Sequence, residues 1–289
     1  MNSVITSPSE ARARDLLFRL RPYVAVLRTR FALLLQYRAA ALAGFGTQCW
    51  WGAIKIMVLA AFYRGAESFP MTLRQTVDYV WLGQAFLLLQ PWGIDVDVVR
   101  LVRTGDVALE RLRPVDTYAY WFARAMARRT ASPLLRAVPM IITAGVILPI
   151  IGLSKWALSP PASVSAAALF VVSMTLAVTL SSAITTLMDV MTVQALSERG
   201  VNSIVGGLVI VLSGSLVPLP FYPDWLQPLL PFQPFAGLVD IPFRIYGAHL
   251  TGWGAFAGLM SQAVWTVVLI AAGHALMTRV MSRVQVQGG

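Results

Sequence analysis

Acidic side chains are scarce in this sequence: 13 Asp and Glu stand against 23 basic residues in 289, and only Lys55 and Lys155 of the basic set are lysine. Charged residues of both signs make up 12% of the chain, while 57% is hydrophobic and the mean hydropathy is +0.68. A water-soluble domain of that composition would lack the polar groups to cover its surface, so the chain reads as an all-α integral membrane protein. Its net charge of +10 then belongs to cytoplasmic loops rather than to a nucleic-acid surface. The lone Cys49 excludes an internal disulfide. The two histidines, His249 and His274, lack the H-E-x-x-H spacing and any cysteine partner, which excludes a zinc hydrolase of that type. No lysine directly follows a glycine, so the phosphate-cradling pattern G-x-x-x-x-G-K-[ST] is missing and the chain does not hold ATP in that way. No cleavable signal peptide is expected, because arginines break the first apolar run and no small-residue cleavage site follows it.

What is present is long apolar runs. A hydrocarbon core of about 30 Å needs about 20 largely apolar residues to cross it. Six stretches qualify: 39–62, 75–96, 134–153, 162–187, 201–219 and 253–277. With a cytoplasmic N-terminus, residues 1–38, 97–133, 188–200 and 278–289 lie inside, and with Arg136 at the mouth of the third span they hold 18 of the 23 basic residues. The reverse orientation would break the positive-inside rule, so both termini are expected in the cytoplasm. No internal repeat or low-complexity linker divides the chain, which reads as one domain over 1–289.

Residues 1–38 carry too much arginine to span. Leu16, Leu20, Tyr23, Leu27, Phe31 and Leu34 recur at three- and four-residue steps, with Arg14, Arg21 and Arg28 on another face. This predicts an interfacial helix bent at Pro22, either an anchor on the membrane surface or an elbow toward a cytoplasmic partner. Between the fifth and sixth spans, Pro218, Pro220, Pro223, Pro228, Pro231, Pro234 and Pro242 interrupt an aromatic, apolar stretch. Broken backbone at membrane depth must be buried in protein or line a cavity, which predicts a re-entrant helical hairpin in the outer leaflet.

Other motifs carry less chemistry. Asp95 and Asp97 resemble a metal-binding acid pair of a membrane transferase, but residues two apart do not share a helix face, and the pair reads as a solvated helix end. Ser213–Gly214–Ser215 has no histidine at matching depth and reads as small residues for close packing. Ion-coupled transport without an ATPase is the alternative to any ATP-driven reading. It would want ionisable groups deep in the spans, and Lys55 is the clearest of them, whereas Asp78 and Asp189 lie nearer the ends.

The stretch RTGDVALERLRP, 103–114, interleaves both charge signs between Gly105 and Pro114, with four aromatics in TYAYWFAR close behind. It suits either a solvated loop or a short helix that docks into a protein groove.

Taken in order along the chain, LGQ at 82–84, RTGD at 103–106, LRPVD at 112–116, LSGSLVPLPFYPDWLQPLLPF leading into the proline-rich segment, IYG at 245–247 and QGG at 287–289 resemble an ABC-2 type transporter permease. Within that class the chain is most similar to the small paired permeases that include viologen and drug exporters. The resemblance implies a single transmembrane domain with an N-terminal amphipathic elbow helix (1–38), six transmembrane helices (39–277) and a cytoplasmic tail (278–289). It makes 103–114 a cytoplasmic coupling helix seated on a separate nucleotide-binding ATPase subunit, with Arg103, Asp106, Glu110, Arg111, Arg113 and Asp116 as contacts. ATP and Mg would sit on that partner, with no cofactor in this chain. A second permease, identical or related, would complete the pathway, and the family nominates Gln48, Trp50, Trp51, Trp81, Gln84 and Ser213 to line it. Indole faces attract organic cations, while tryptophans near span ends also anchor at the interface. The implied location is the bacterial inner (plasma) membrane. The lack of a sugar-binding module favours export of a drug, small amphiphile or lipid over polysaccharide.

Overall fold

The computed structural model describes residues 8–36, 38–65 and 68–283, with the side chains of 8–19, 38–41 and 111 left out of the description. Among these residues the chain is all helical, with nine helices and no strand. α1 runs Pro8–Leu34 and α2 Arg38–Phe62. The shorter α3, Leu73–Ala85, and α4, Val96–Thr104, precede α5, Thr117–Ile150, and α6, Val164–Ala195. α7 spans Glu198–Leu212, α8 Asp240–Tyr246 and α9 Gly252–Arg283.

Four of these helices are long and apolar enough to cross a membrane: Leu42–Phe62 of α2, and all of α5, α6 and α9. The expected second and fifth spans are corrected by the structure. α3 has 13 residues and α7 has 15, so at 1.5 Å per residue each covers only about 20 Å. α3 starts sharply because Thr72 and Gln75 form a capping box. It ends at Ala85, and the chain unwinds through a 3-10 turn at Leu87–Leu89 toward Pro91. The third span is also longer than predicted. α5 begins at Thr117, on the Asp116 cap, and continues through a wider π turn at Thr143–Ile147, just ahead of Pro149. A proline ring would collide with the carbonyl four residues back in a regular helix, and the wide turn relieves this.

α3 is wrapped by other helices along most of its length. Val77, Tyr79, Val80, Trp81, Leu82 and Ala85 are buried among Ile56 of α2, Met140 of α5, Leu180 and Ile184 of α6, and Phe243 of α8. α6 packs along α9, where Gln262 binds the Ser173 hydroxyl at 2.9 Å and the Gly237 carbonyl at 2.7 Å. In the segment expected to form the outer helical hairpin, the structure has one-turn 3-10 helices at Leu219–Phe221, Leu230–Phe232 and Phe235–Leu238, followed by α8.

α1 stays helical through Pro22 and lies along α5. Tyr23, Leu27, Phe31 and Leu34 are half-buried while Arg21 and Arg28 are exposed, as their spacing predicts; Leu20 is exposed, and the side chains of Leu16 and Arg14 fall outside the described set. Val98 of α4, Tyr118 and Trp121 at the start of α5, Val190 and Val193 at the end of α6, and Met277 and Met281 at the end of α9 form one cluster. That cluster, together with α1, marks a charged end of the molecule.

Candidate functional site

At the charged end, α4 stops at Gly105, which takes a left-handed φ of 79° as its C-cap. The next residues, Asp106–Leu112, form a 3-10 helix. In such a helix residues three apart eclipse one another. Asp106, Leu109 and Leu112 therefore share an outward face, with Leu112 79% exposed and Leu109 51%. Val107 and Glu110 share the opposite face and are buried. Val107 belongs to a cluster that side chains of α4, α5, α6 and α9 share, so the root of the turn joins the core at this end of the molecule.

The six residues assigned to coupling divide accordingly. Glu110 points inward, accepting from the Trp121 indole N–H at 3.2 Å and from Arg113 at 3.1 Å. Arg113 is half exposed over the Tyr120 ring. Arg103 bonds Glu198 at the start of α7 at 2.6 Å, and Asp106 accepts from the Thr104 hydroxyl at 2.7 Å. Asp116 caps α5, lies 3.3 Å from His274 and donates its own N–H to the Tyr23 hydroxyl of α1. The Arg111 side chain is outside the described residues. Leu109 and Leu112 were missed in the sequence, although their spacing of three inside a Gly- and Pro-bounded turn is the pattern that marks an outward apolar row.

Behind the turn lies a clasp of charges. Asp95 is the N-cap of α4 and accepts from Arg124 at 2.8 Å; Asp97 accepts from the same guanidinium at 3.0 Å and from Arg30 of α1. The Asp95 N–H in turn donates to Asp189 of α6 at 2.9 Å. The pair read as a solvated helix end is thus ion-paired, and among the described residues no group of His, Cys, Asp and Glu is arranged to hold a metal ion. Burial pushes the Asp97 carboxyl up, but the Arg30 hydrogen bond and the charges of Arg30, Arg124 and Arg100 outweigh it and hold the group below the ordinary carboxylate range. Arg128 and Arg129 complete the clasp by donating to the Gly93 carbonyl at 2.8 Å and the Gln90 carbonyl at 2.6 Å, which satisfies the unwound chain between α3 and α4.

Farther along, a cleft of about 460 Å³ opens between α2, the end of α3, α5 and α7. Of the residues assigned to the pathway it brings together Gln48, Trp51 and Gln84. Trp50 faces outward at 69% exposure. Trp81 is buried, its indole donating to the Trp156 carbonyl at 2.7 Å, and Ser213 is buried at the end of α7, accepting from the Ser215 N–H. Lys55 and Arg136 also line the cleft, with Lys55 Nζ donating to the Ser215 carbonyl at 2.8 Å.

Residues 84–288 match the model of a family described as ABC-2 family transporter protein. That is most of the sequence, and the chain belongs to the ABC-2 family of transporter membrane proteins. It is a multi-pass membrane protein of a family whose members are typically non-catalytic transmembrane subunits, and membership implies partnership with an ABC ATPase. No curated protein and no solved structure gives a match.

Proposed function

We propose that this chain is the membrane-spanning permease subunit of an ATP-binding cassette exporter that moves a small amphiphilic molecule, drug or lipid. A separate ATPase subunit, carrying ATP and Mg, drives it, and a second permease, a copy or a relative, faces it across the pathway. The observation that carries this reading is the 3-10 turn at Asp106–Leu112: an apolar pair, Leu109 and Leu112, stands exposed on a root whose Val107 is buried in the cluster shared by α4 and three long helices. Such a knob fits a groove on a partner, and a push on it reaches α5 through the Glu110–Trp121 bond and the other long helices through the cluster they share.

In this reading the charged end faces the cytoplasm of a bacterial inner membrane. Both termini lie on that side, and 1–289 acts as one transmembrane domain with α1 as its elbow. α3 and α7 complete six membrane-inserted segments, four of them full length and two shortened by the unwound chain that follows each. The test is co-purification with an ABC ATPase followed by reconstitution in liposomes. ATP-dependent movement of an amphiphile supports the reading; movement on an ion gradient with no ATPase present contradicts it.

A further inference from the structure

Among the described residues, the charged groups lining the cleft are the cations Lys55 and Arg136, and no Asp or Glu lines it. The side chain of Gln48 is 3% exposed, lines the cleft, and among the described residues neither its amide nitrogen nor its carbonyl oxygen has a hydrogen-bond partner. Arg136 Nε is likewise buried without an acceptor. Buried donors left unmade cost about 1–3 kcal/mol each, and more for a charged group, so the two here, Gln48 Nε2 and Arg136 Nε, suit a ligand that supplies acceptors.

The Arg136 guanidinium is held in place by an absence. It lies against the bare backbone of α2 at Gly44, where a β-carbon would stand 2.3 Å from Cζ. An arginine in a membrane helix ordinarily pairs with an acid or stretches toward the interface, whereas this one turns onto a neighbouring helix and faces a cavity. Gly44, Gln48, Trp51 and Lys55 follow at four-, three- and four-residue spacings along one face of α2, so the cleft extends roughly 16 Å from Gly44 to Lys55 at 1.5 Å per residue. Trp51, Trp92 and Leu216 supply apolar wall between the two cations.

We propose that this cleft receives an anionic group, a phosphate or carboxylate, carried on an apolar body. Arg136 and Gln48 take the anion at one end, Lys55 offers a second station at the other, and the indoles hold the apolar part. The inference rests on the transport reading for its purpose and names its substrate class. Organic cations, which the tryptophans alone would suit, are repelled by both charges.

Binding is measured without transport. The full chain is placed in phosphatidylcholine nanodiscs and titrated calorimetrically with dodecyl phosphate or with dodecyltrimethylammonium, subtracting empty nanodiscs. The phosphate is expected to bind about tenfold more tightly, the size of one charge-assisted hydrogen bond. Arg136→Gln abolishes that preference, and Arg136→Lys keeps part of it. Gly44→Ala, which leaves every charge in place and moves only the far end of a flexible side chain, also reduces it. Equal binding of the two probes to the wild type, or an unchanged preference in both Arg136→Gln and Gly44→Ala, overturns the proposal. Adding phosphatidylglycerol to the nanodiscs separates two sources of the same chemistry: competition assigns the anion to a lipid headgroup, and its absence assigns it to a free amphiphile. Loss of preference in a chain that still couples to an ATPase removes the anion assignment alone. Preference in a chain that no ATPase joins removes the transport reading alone.

Discussion

Glu110 accepts the indole N–H of Trp121 at 3.2 Å, and this bond ties the turn at Asp106–Leu112 to the first turns of α5. Both side chains are buried, Trp121 almost completely. Glu110→Ala therefore leaves the indole N–H without a partner and releases Arg113, at a cost of about 1–3 kcal/mol. Glu110→Gln keeps an acceptor for the indole and should lose less. Thermal unfolding of the purified chain, followed by tryptophan fluorescence, should rank wild type above Gln and Gln above Ala; a Gln variant as weak as Ala would show that charge, and not the indole bond, holds the turn.

Arg30 fastens the amphipathic helix α1 to Asp97 of α4. Because the Asp97 carboxyl is lowered on folding, its contribution to stability is complete above the unfolded value near pH ~4 and is lost as acid carries the pH down through the native value. Arg30→Gln should lower the melting temperature at neutral pH, and the gap from the wild type should close in that acid range. A gap of constant size from neutral to acid would mean that Arg30 acts by packing and not through Asp97.

Gly214 and Gly105 allow backbone strain and crowding to be separated. Both take left-handed φ, 84° and 79° respectively. A β-carbon at Gly214 would lie 2.2 Å from the Tyr79 hydroxyl, whereas one at Gly105 meets nothing within 4 Å. Alanine at Gly105 should cost only the backbone penalty of about 1–2 kcal/mol, and alanine at Gly214 distinctly more. Equal losses in unfolding experiments would argue that Tyr79 moves aside freely.

The helical character, the face of α1 and the Gly105-to-Pro114 turn were legible because each depends on neighbours in sequence: periodicity, punctuation and capping residues. What could not be read depends on contacts distant in sequence. The run 75–96 is apolar enough to span, yet it unwinds beyond Ala85 because Arg129 supplies donors to the Leu88 and Gln90 carbonyls and Ser181 binds the Leu89 carbonyl. The start of α5 was passed over for the converse reason. Arg124, Arg128 and Arg129 depress its hydropathy, but in the fold they answer to Asp95, Asp97 and backbone carbonyls. Of the cleft, Gln48, Trp51 and Gln84 were reached through family resemblance. Arg136 was placed at the mouth of the third span and counted with the cytoplasmic arginines, because nothing local reveals that Gly44 makes room for it.

Whether a separate ATPase grips this chain at the turn Asp106–Leu112 is decided by the rate at which that ATPase hydrolyses ATP when reconstituted with this chain in liposomes. Leu109→Asp and Leu112→Asp alter only exposed side chains, so the chain should fold as before. The wild-type chain should stimulate hydrolysis, and the double variant, inserted to the same level, should not. Equal stimulation by both would mean that the ATPase does not grip this turn.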